Sequence, residues 1–317
     1  MILYEGLENI PAPFAETTVA IGTFDGVHVG HQAIIRTAVE DARTHGRPAL
    51  VFTFDRHPAE LLRPTEAPPY ITTPRQRNRL IEQLGVDILV IARFDTALAN
   101  LGHEEFVERI LVGLCGAKAI VEGRDFCFGK GRAGNLAYLL SVQAHYGFKV
   151  HAVDPVFVNG VPASSTRVRE CLRLGDITEA EAVLGHPFWM EGRVVPGQRL
   201  GRKLGYPTAN LVPTYRQVVP ADGIYAVWVC MTQGGDLLPG VCSIGERPTI
   251  EGAGRAIEVY LFDFEGDLYD QILEVRFVRR LRDEVRFDSL DALQAQMARD
   301  VAEAREVLRG IPDSSSA

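Results

Sequence analysis

Two histidines three residues apart, His28 and His31, stand in the string VAIGTFDGVHVGHQAII that runs from Val19 to Ile35. Val19–Ile21 leans to β-structure, Gly22-Thr-Phe-Asp-Gly26 breaks it, and Ile34, Ile35, Ala38, Val39 and Ala42 then recur at helical spacing. The order is strand, glycine-rich turn, helix. A spacing of three places both imidazoles on one side of the first helical turn. The free N–H groups of a helix start favour an anion, and two imidazoles beside them add donors aimed at the same point. The chemistry is that of a nucleotide phosphate site.

Three further clusters carry chemistry. Ser164-Ser-Thr-Arg-Val-Arg169 opens a helix that Gly175 ends, with Ser164 to Thr166 offering an N-cap. Arg167 and Arg169 lie in its first turn, where the helix dipole disfavours cations, so an anion is expected to meet them. Gly123 to Asn135 holds four glycines and three cations, a composition unfit for a helix or a central strand. It is expected to form a mobile basic flap over a phosphate or a flavin. Gly197 to Asn210 repeats glycine at 197, 201 and 205 with cations between and closes on Pro-Thr-Ala-Asn. As a helix that run would suffer three glycine penalties, so a phosphate-embracing loop is expected. Thr208 and Asn210 are hard oxygen donors suited to Mg²⁺ or a phosphate oxygen. The Gly-Lys-[Ser/Thr] of a Walker A loop is missing.

The elements that must position these clusters change character along the chain. Apolar runs at Ala49–Phe54, Asp87–Ala92, Ala117–Glu122 and Lys149–Val153 alternate with helical patterns from Pro74 to about Leu84, at His103–Leu111 and at Leu136–Tyr146. Such alternation predicts a doubly wound parallel α/β sheet, whose ligands gather at the carboxyl ends of the strands. His28, His31, the polar cluster Phe54-Asp-Arg-His57-Pro58 and the segment after Glu122 all fall there. Beyond Gly185 the pattern turns to short β-rich runs, Phe188–Val195, Ile224–Cys230, Leu237–Ile244, Ala256–Phe264 and Ile272–Phe277, before a single helix at Leu290–Leu308. Many strands without helices between them predict a closed barrel. The domains are therefore set at 1–184 and 185–312, with 313–317 a disordered serine-rich tail.

Bulk properties narrow the function. A chain of 317 residues suits two domains. Its net charge of −8 makes a nucleic-acid surface a poor partner. Five scattered cysteines without a CxxC pair argue against zinc or redox motifs and for a reduced, cytoplasmic setting. No run approaches the ~20 apolar residues of a membrane span.

The string around His28 and His31 resembles the nucleotidylyltransferase superfamily, in which paired histidines contact the triphosphate of a nucleotide attacked at its α-phosphorus. From about Val19 to Arg305 the whole chain resembles the bacterial bifunctional riboflavin kinase/FMN adenylyltransferase family, or FAD synthetases. GTFDGVHVGH, FTFDRHP, DFCFGKGRAGN and SSTRVR carry the likeness in the first half. GQRLGRKLGYPTANL, DGIYAV, GVCSIGERPT, EVYLFDFEGDLYD and LRDEVRFDSLDAL carry it in the second.

The resemblance implies two Mg²⁺-dependent transfers from ATP, riboflavin to FMN in a flavokinase-like barrel and FMN to FAD in the α/β half. It implies that Gly22, Thr23, Phe24, His28, His31, Ser164, Thr166 and Arg167 bind ATP for adenylyl transfer. His57, Asp125, Phe126 and Phe128 are placed at FMN and the flap. Gly197, Gly201, Lys203, Gly205, Thr208 and Asn210 are placed at the kinase ATP, Thr208 and Asn210 at the metal, and Glu258 as the base on the flavin ribityl 5′-hydroxyl. Thr23, Asp55-Arg56, Cys127, Asn135 and Tyr260 depart from the residues the family more often carries, and the change at Cys127 bears on the flap's acceptor-side contacts. On alternation alone, Glu258 is an outward strand glutamate sharing a face with Ala256 and Tyr260. Partners are expected to be small molecules, with no membrane and a monomer or weak homo-oligomer. A transferase acting on another small phosphate and a non-catalytic flavin-binding regulator are the rival readings.

Overall fold

The computed structural model describes residues 1–197, 201, 204–231, 235–246 and 255–310. The chain divides into two compact units, one of Met1–Pro69 with Pro74–Ser164, the other of Tyr70–Thr73 with the chain from Ser165 on.

The first unit is built on strands β1 Ile2–Glu5, β2 Thr17–Ile21, β3 Ala49–Phe54, β4 Ile88–Ala92 and β5 Ala117–Gly123, the short β6 Cys127–Phe128 and β7 Gly134–Asn135, and β8 Lys149–Val153. Six of them form one sheet in the order β1-β4-β3-β2-β5-β8, with every pair parallel. The doubly wound α/β expectation holds. β2, β3 and β4 are buried at every position, which is why they read as unbroken apolar runs rather than as alternation. Helix α1 Val29–Thr44 follows β2, α2 Pro58–Leu62 follows β3, and α3 Pro74–Gln83 leads into β4. The short α4 Thr96–Ala99 and α5 His103–Glu105 come next, α5 running on as a π-helix over Phe106–Leu114. α6 Leu136–Tyr146 separates β7 from β8. The main core lies on one sheet face, where Ile21, Phe52 and Ile120 pack with Phe106, Leu111, Phe128 and Leu139. The chain steps from β2 toward β3 and β4 on one side and later crosses to β5 and β8 on the other. The sheet order thus reverses between β2 and β5, and ligands of open α/β sheets bind at the carboxyl ends beside such a reversal.

After the hairpin β9 Phe157–Val158 and β10 Val161–Pro162 come α7 Ser165–Leu174 and α8 Ile177–Leu184. These two helices belong to the second compact unit, ahead of the Gly185 boundary expected from the change of pattern. Tyr70–Thr73 joins them from the other half of the chain: the Tyr70 N–H donates to the Arg216 carbonyl at 2.9 Å, and the buried Gln217 amide to the Ile71 carbonyl at 2.9 Å. Neither attachment leaves a periodic trace in the sequence.

The second unit is a closed barrel of β11 Phe188–Val195, β12 Thr208–Pro213, β13 Gly223–Cys230, β14 Leu238–Glu246, β15 Arg255–Leu261 and β16 Ile272–Arg282. Its order is β11-β12-β15-β14-β13-β16, and all neighbours are antiparallel. The terminal helix Leu290–Arg309 packs Val301, Ala304, Val307 and Leu308 on the barrel's outer face, against Ala226, Trp228, Val241 and Tyr260. An ion pair between the half-buried Arg282 and the buried Asp300 ties it down, with Arg282 donating to both Asp300 oxygens at 2.8 and 2.7 Å. The loop expected through Asn210 ends earlier than the motif suggests, because Thr208–Asn210 already belong to β12. The tail at 313–317 lies outside the described residues.

Candidate active sites

In the first unit, His28 caps α1. It holds an extended backbone, and its Nδ1 accepts the His31 N–H at 3.3 Å, so in the neutral ring the proton sits on Nε2. The two imidazoles stack at 3.7 Å with 21° between their planes. They share one helix start, as the spacing requires. Three contacts hold the turn in front of them. The fully buried Phe24 ring meets His31 edge-on at 5.3 Å. The Gly22 N–H donates to the Phe52 carbonyl at 3.2 Å, and the Gln32 amide donates to the Val27 carbonyl at 2.9 Å. Phe24 and Val27 carry φ of 50° and 40°, so the turn is held in a backbone region that side chains rarely adopt. A Cβ on Gly30 would lie 3.1 Å from the His28 ring, which leaves little room for any other residue there.

The remaining predicted residues of this half take definite places. His57 caps α2, its Nδ1 accepting the Ala59 N–H at 3.1 Å. Thr23 accepts the Thr53 hydroxyl on its carbonyl at 3.2 Å. Asp125 is exposed in the turn after β5, Phe126 is half-buried, and Phe128 is buried in the core. The segment expected to be a free flap is anchored at its root. β6 and β7 pair antiparallel, the Lys130 N–H donates to the Leu101 carbonyl at 2.8 Å, and the Asn135 side chain caps α6 through the Tyr138 N–H at 3.0 Å. Its cations Lys130 and Arg132 stay exposed. Ser164 ends the first unit, while Thr166 and Arg167 belong to the second. There the Arg167 guanidinium donates to the Glu179 carboxylate. The anion that eases two arginines at a helix start thus includes one from the chain itself, which the motif did not show.

In the barrel, register assembles the site. Asn210 stands opposite Glu258 across β12 and β15, and Ser243 opposite Glu258 across β14 and β15. The Thr208 hydroxyl donates to Glu258 Oε2 at 3.1 Å. Two cavities meet at these residues. One of about 590 Å³ is bounded by Gly197, Pro207, Thr208, Asn210, Asp267 and Tyr269. The other, of about 380 Å³, is bounded by Tyr206, Thr208, Asn210, Ser243, Glu258 and Met297. Thr208 and Asn210 line both, so they stand in the wall between them. Glu258 faces outward from the barrel, as alternation says, but into a groove that the terminal helix also lines rather than into solvent. Burial pushes the neighbouring Cys242 thiol up, and the Glu258 charge adds to the effect. A Cβ on Gly197 would overlap the Asn210 side chain, and one on Gly201 the Tyr206 carbonyl, so both glycines are close approaches of backbone. Gly205 turns at a φ of 86°. Lys203 lies outside the described residues. Sequence reasoning missed Ser243 and the Arg282–Asp300 pair, which line the smaller cavity from other elements.

Comparison with known proteins places the chain among the transferases. A family model described as FAD synthetase matches residues 11–167, and one described as riboflavin kinase matches residues 184–308. A protein of Escherichia coli K12 named bifunctional riboflavin kinase/FMN adenylyltransferase is 41% identical over 96% of this chain and 97% of its own. One of that name from Pseudomonas fluorescens is 43% identical over 96% and 97%. A solved structure titled macrolide-efflux protein, from Streptococcus pneumoniae, covers 96% of this chain and 99% of its own, with a TM-score of 0.87 and 33% identity. No helix among the described residues is long and apolar enough to cross a membrane. The chain belongs to the bifunctional riboflavin kinase/FMN adenylyltransferase (FAD synthetase) family.

Proposed function

We propose that the barrel phosphorylates riboflavin with Glu258 as the base and that the α/β unit adenylylates FMN at the His28–His31 helix start. The observation that carries the kinase half is Glu258, Thr208 and Asn210 brought together where two cavities meet. A transfer between two substrates needs one pocket for each and the reacting groups in the wall between them. The smaller cavity mixes aromatic and aliphatic lining, Tyr206, Tyr260, Leu293 and Met297, with the Glu258 carboxylate at one side, which suits a flavin ring whose ribityl hydroxyl must lose a proton. The larger, lined by Gly197, Thr208 and Asn210, takes ATP.

Thr208 and Asn210 offer neutral oxygens rather than a cage of carboxylates, and among the described residues no group of three His, Cys, Asp or Glu is placed to hold a metal ion. That set fits Mg²⁺ arriving with ATP phosphates and water. When bound, the ion neutralises phosphate charge. Glu258 accepts the hydroxyl proton, and the Thr208 hydroxyl holds its carboxylate in place.

For adenylyl transfer, His28 and His31 with the α1 N–H groups stabilise charge on the triphosphate, and Ser164 serves the same nucleotide. His57, Asp125, Phe126 and Phe128 receive FMN. No covalent enzyme intermediate is needed. The working boundary is placed between Ser164 and Gly185, tested by whether chains beginning at Ser165 and at Gly185 fold and phosphorylate riboflavin. Incubating the full chain with riboflavin and Mg²⁺-ATP, and separating riboflavin, FMN and FAD, tests the whole assignment. FMN followed by FAD is expected, and consumption of ATP without either flavin product rejects it.

A further inference from the structure

Glu122 has no part in the roles above, yet it occupies the ligand end of the sheet. It is wholly buried, and among the described residues neither of its carboxyl oxygens has a hydrogen-bond partner. Folded proteins seldom bury a carboxyl in that state, and each such group calls for an explanation. Ala20 stands opposite Val121, so Glu122 lies beside Ile21, the last residue before the Gly22 turn. These strands flank the reversal of sheet order, where ligands of such sheets bind.

Its direction is also settled. A Cβ on the next residue, Gly123, would lie 3.4 Å from Ile34 of α1. Alternation therefore turns Glu122 to the opposite face, the one it shares with Ile120. That face carries the aromatic cluster, with Phe106 at 5.6 Å from Phe128, Phe126 stacked on Phe128 at 6.1 Å, and Phe54 edge-on to Phe94 at 5.4 Å. The β6–β7 hairpin that brings in Phe128 folds directly off the end of β5, with the Phe126 N–H closing on the Gly123 carbonyl at 3.0 Å. Burial pushes the Glu122 carboxyl up to about 8. At neutral pH it carries its proton and presents one O–H donor beside one carbonyl acceptor.

We propose that Glu122 is a flavin-binding residue of the adenylyl-transfer site, reading the imide edge of the incoming FMN ring. Its O–H donates to a ring carbonyl, and its carbonyl oxygen accepts from the ring N3–H. The ring reaches it on the aromatic face as the Phe126–Phe128 hairpin gives way. The adenine of ATP also presents a donor beside an acceptor, but the aromatic face lies across the sheet from α1 and its phosphate-binding start, which favours the flavin. The proposal rests on the first unit being the FMN adenylyltransferase.

Steady-state FAD formation by the full chain tests it, with FMN and ATP varied separately and with N3-methyl-FMN as a second acceptor. Leaving buried polar groups of a substrate unpaired is strongly selected against, so Glu122→Leu should raise the KM for FMN by at least ~10-fold. The KM for ATP and riboflavin phosphorylation should not move. Glu122→Gln, which keeps one donor and one acceptor, should restore FMN binding. The native enzyme should discriminate against N3-methyl-FMN, and Glu122→Leu should not. Removing an unpartnered buried carboxyl should leave the melting temperature unchanged or raised, so a kinetic loss is not unfolding. An unchanged FMN KM in Glu122→Leu, or an effect on ATP alone, overturns the proposal. If that variant fails to fold, equal use of FMN and N3-methyl-FMN by the native enzyme overturns it. No FAD at all from FMN and ATP rejects the reading of the unit as well.

Discussion

The two candidate sites are built on opposite plans. The candidate site of the α/β unit is local: His28 and His31 are stacked at 3.7 Å because they are three residues apart at one helix start. The candidate site of the barrel is assembled from distant parts. Thr208 and Glu258 meet at 3.1 Å only because β12 and β15 pair in one register, and a one-residue slip would turn Glu258 to the other face. A local site survives as long as its turn and helix form, whereas a site built by register depends on the closure of the whole barrel. The difference predicts that the two activities are separable by mutation.

The largest effect should come from the local site. His28→Ala with His31→Ala removes two donors at once, each worth about 10²–10³-fold in transfer chemistry. FAD formation should fall below detection while FMN formation from riboflavin continues. Equal loss of both products in the product assay would mean one shared site.

Glu258→Gln comes next. The amide keeps the shape and loses the basicity, so riboflavin phosphorylation should drop by at least ~100-fold, within the range for a lost general base. Adenylylation of added FMN should persist. Full kinase turnover in this variant together with its loss in Glu284→Gln would place the base on Glu284, another carboxylate that lines the same cavity.

Gly197→Ala probes the wall between the cavities more gently. Its Cβ would overlap Asn210, and a displaced positioning group costs up to about 10²-fold. Kinase kcat/KM should fall by about 10-fold with FAD formation from FMN unaffected.

The smallest effect is a slope in stability. The Glu122 carboxyl sits at about 8, raised by burial from 4.5, so the folded unit holds a proton that the unfolded chain releases. Its contribution to stability is complete below about 4.5 and is lost as pH rises from there to about 8. Melting curves between pH 6 and pH 9 should fall with pH by a few degrees, at about 2–4 °C per kcal/mol. Glu122→Gln should flatten the slope, and an unchanged slope would remove this carboxyl as its source.

Much of the fold was legible because periodicity records which faces are buried. Leu136–Tyr146, Lys149–Val153 and Phe188–Val195 form the elements expected over the same residues. β1 escaped notice because Ile2–Glu5 is a short edge strand with most side chains exposed, leaving no apolar pattern to read. β12 escaped because its first residues sit inside a glycine-rich motif and become a strand only through their partners on β11 and β15. The local candidate site could be read from two histidines and a turn, while the walls of the smaller barrel cavity come from β12, β14, β15, β16 and the terminal helix.

The sequence by itself determined the alternation of strands and helices, the change to β-structure near Gly185, and the helix start that carries His28 and His31. All three follow from interactions within a few residues. Only the tertiary structure decided that Tyr70–Thr73, α7 and α8 join the barrel's unit, that Arg167 meets Glu179, and that Glu122 is enclosed without a partner among the described residues. Those outcomes depend on contacts between segments far apart in the chain, and local spacing and periodicity do not encode them.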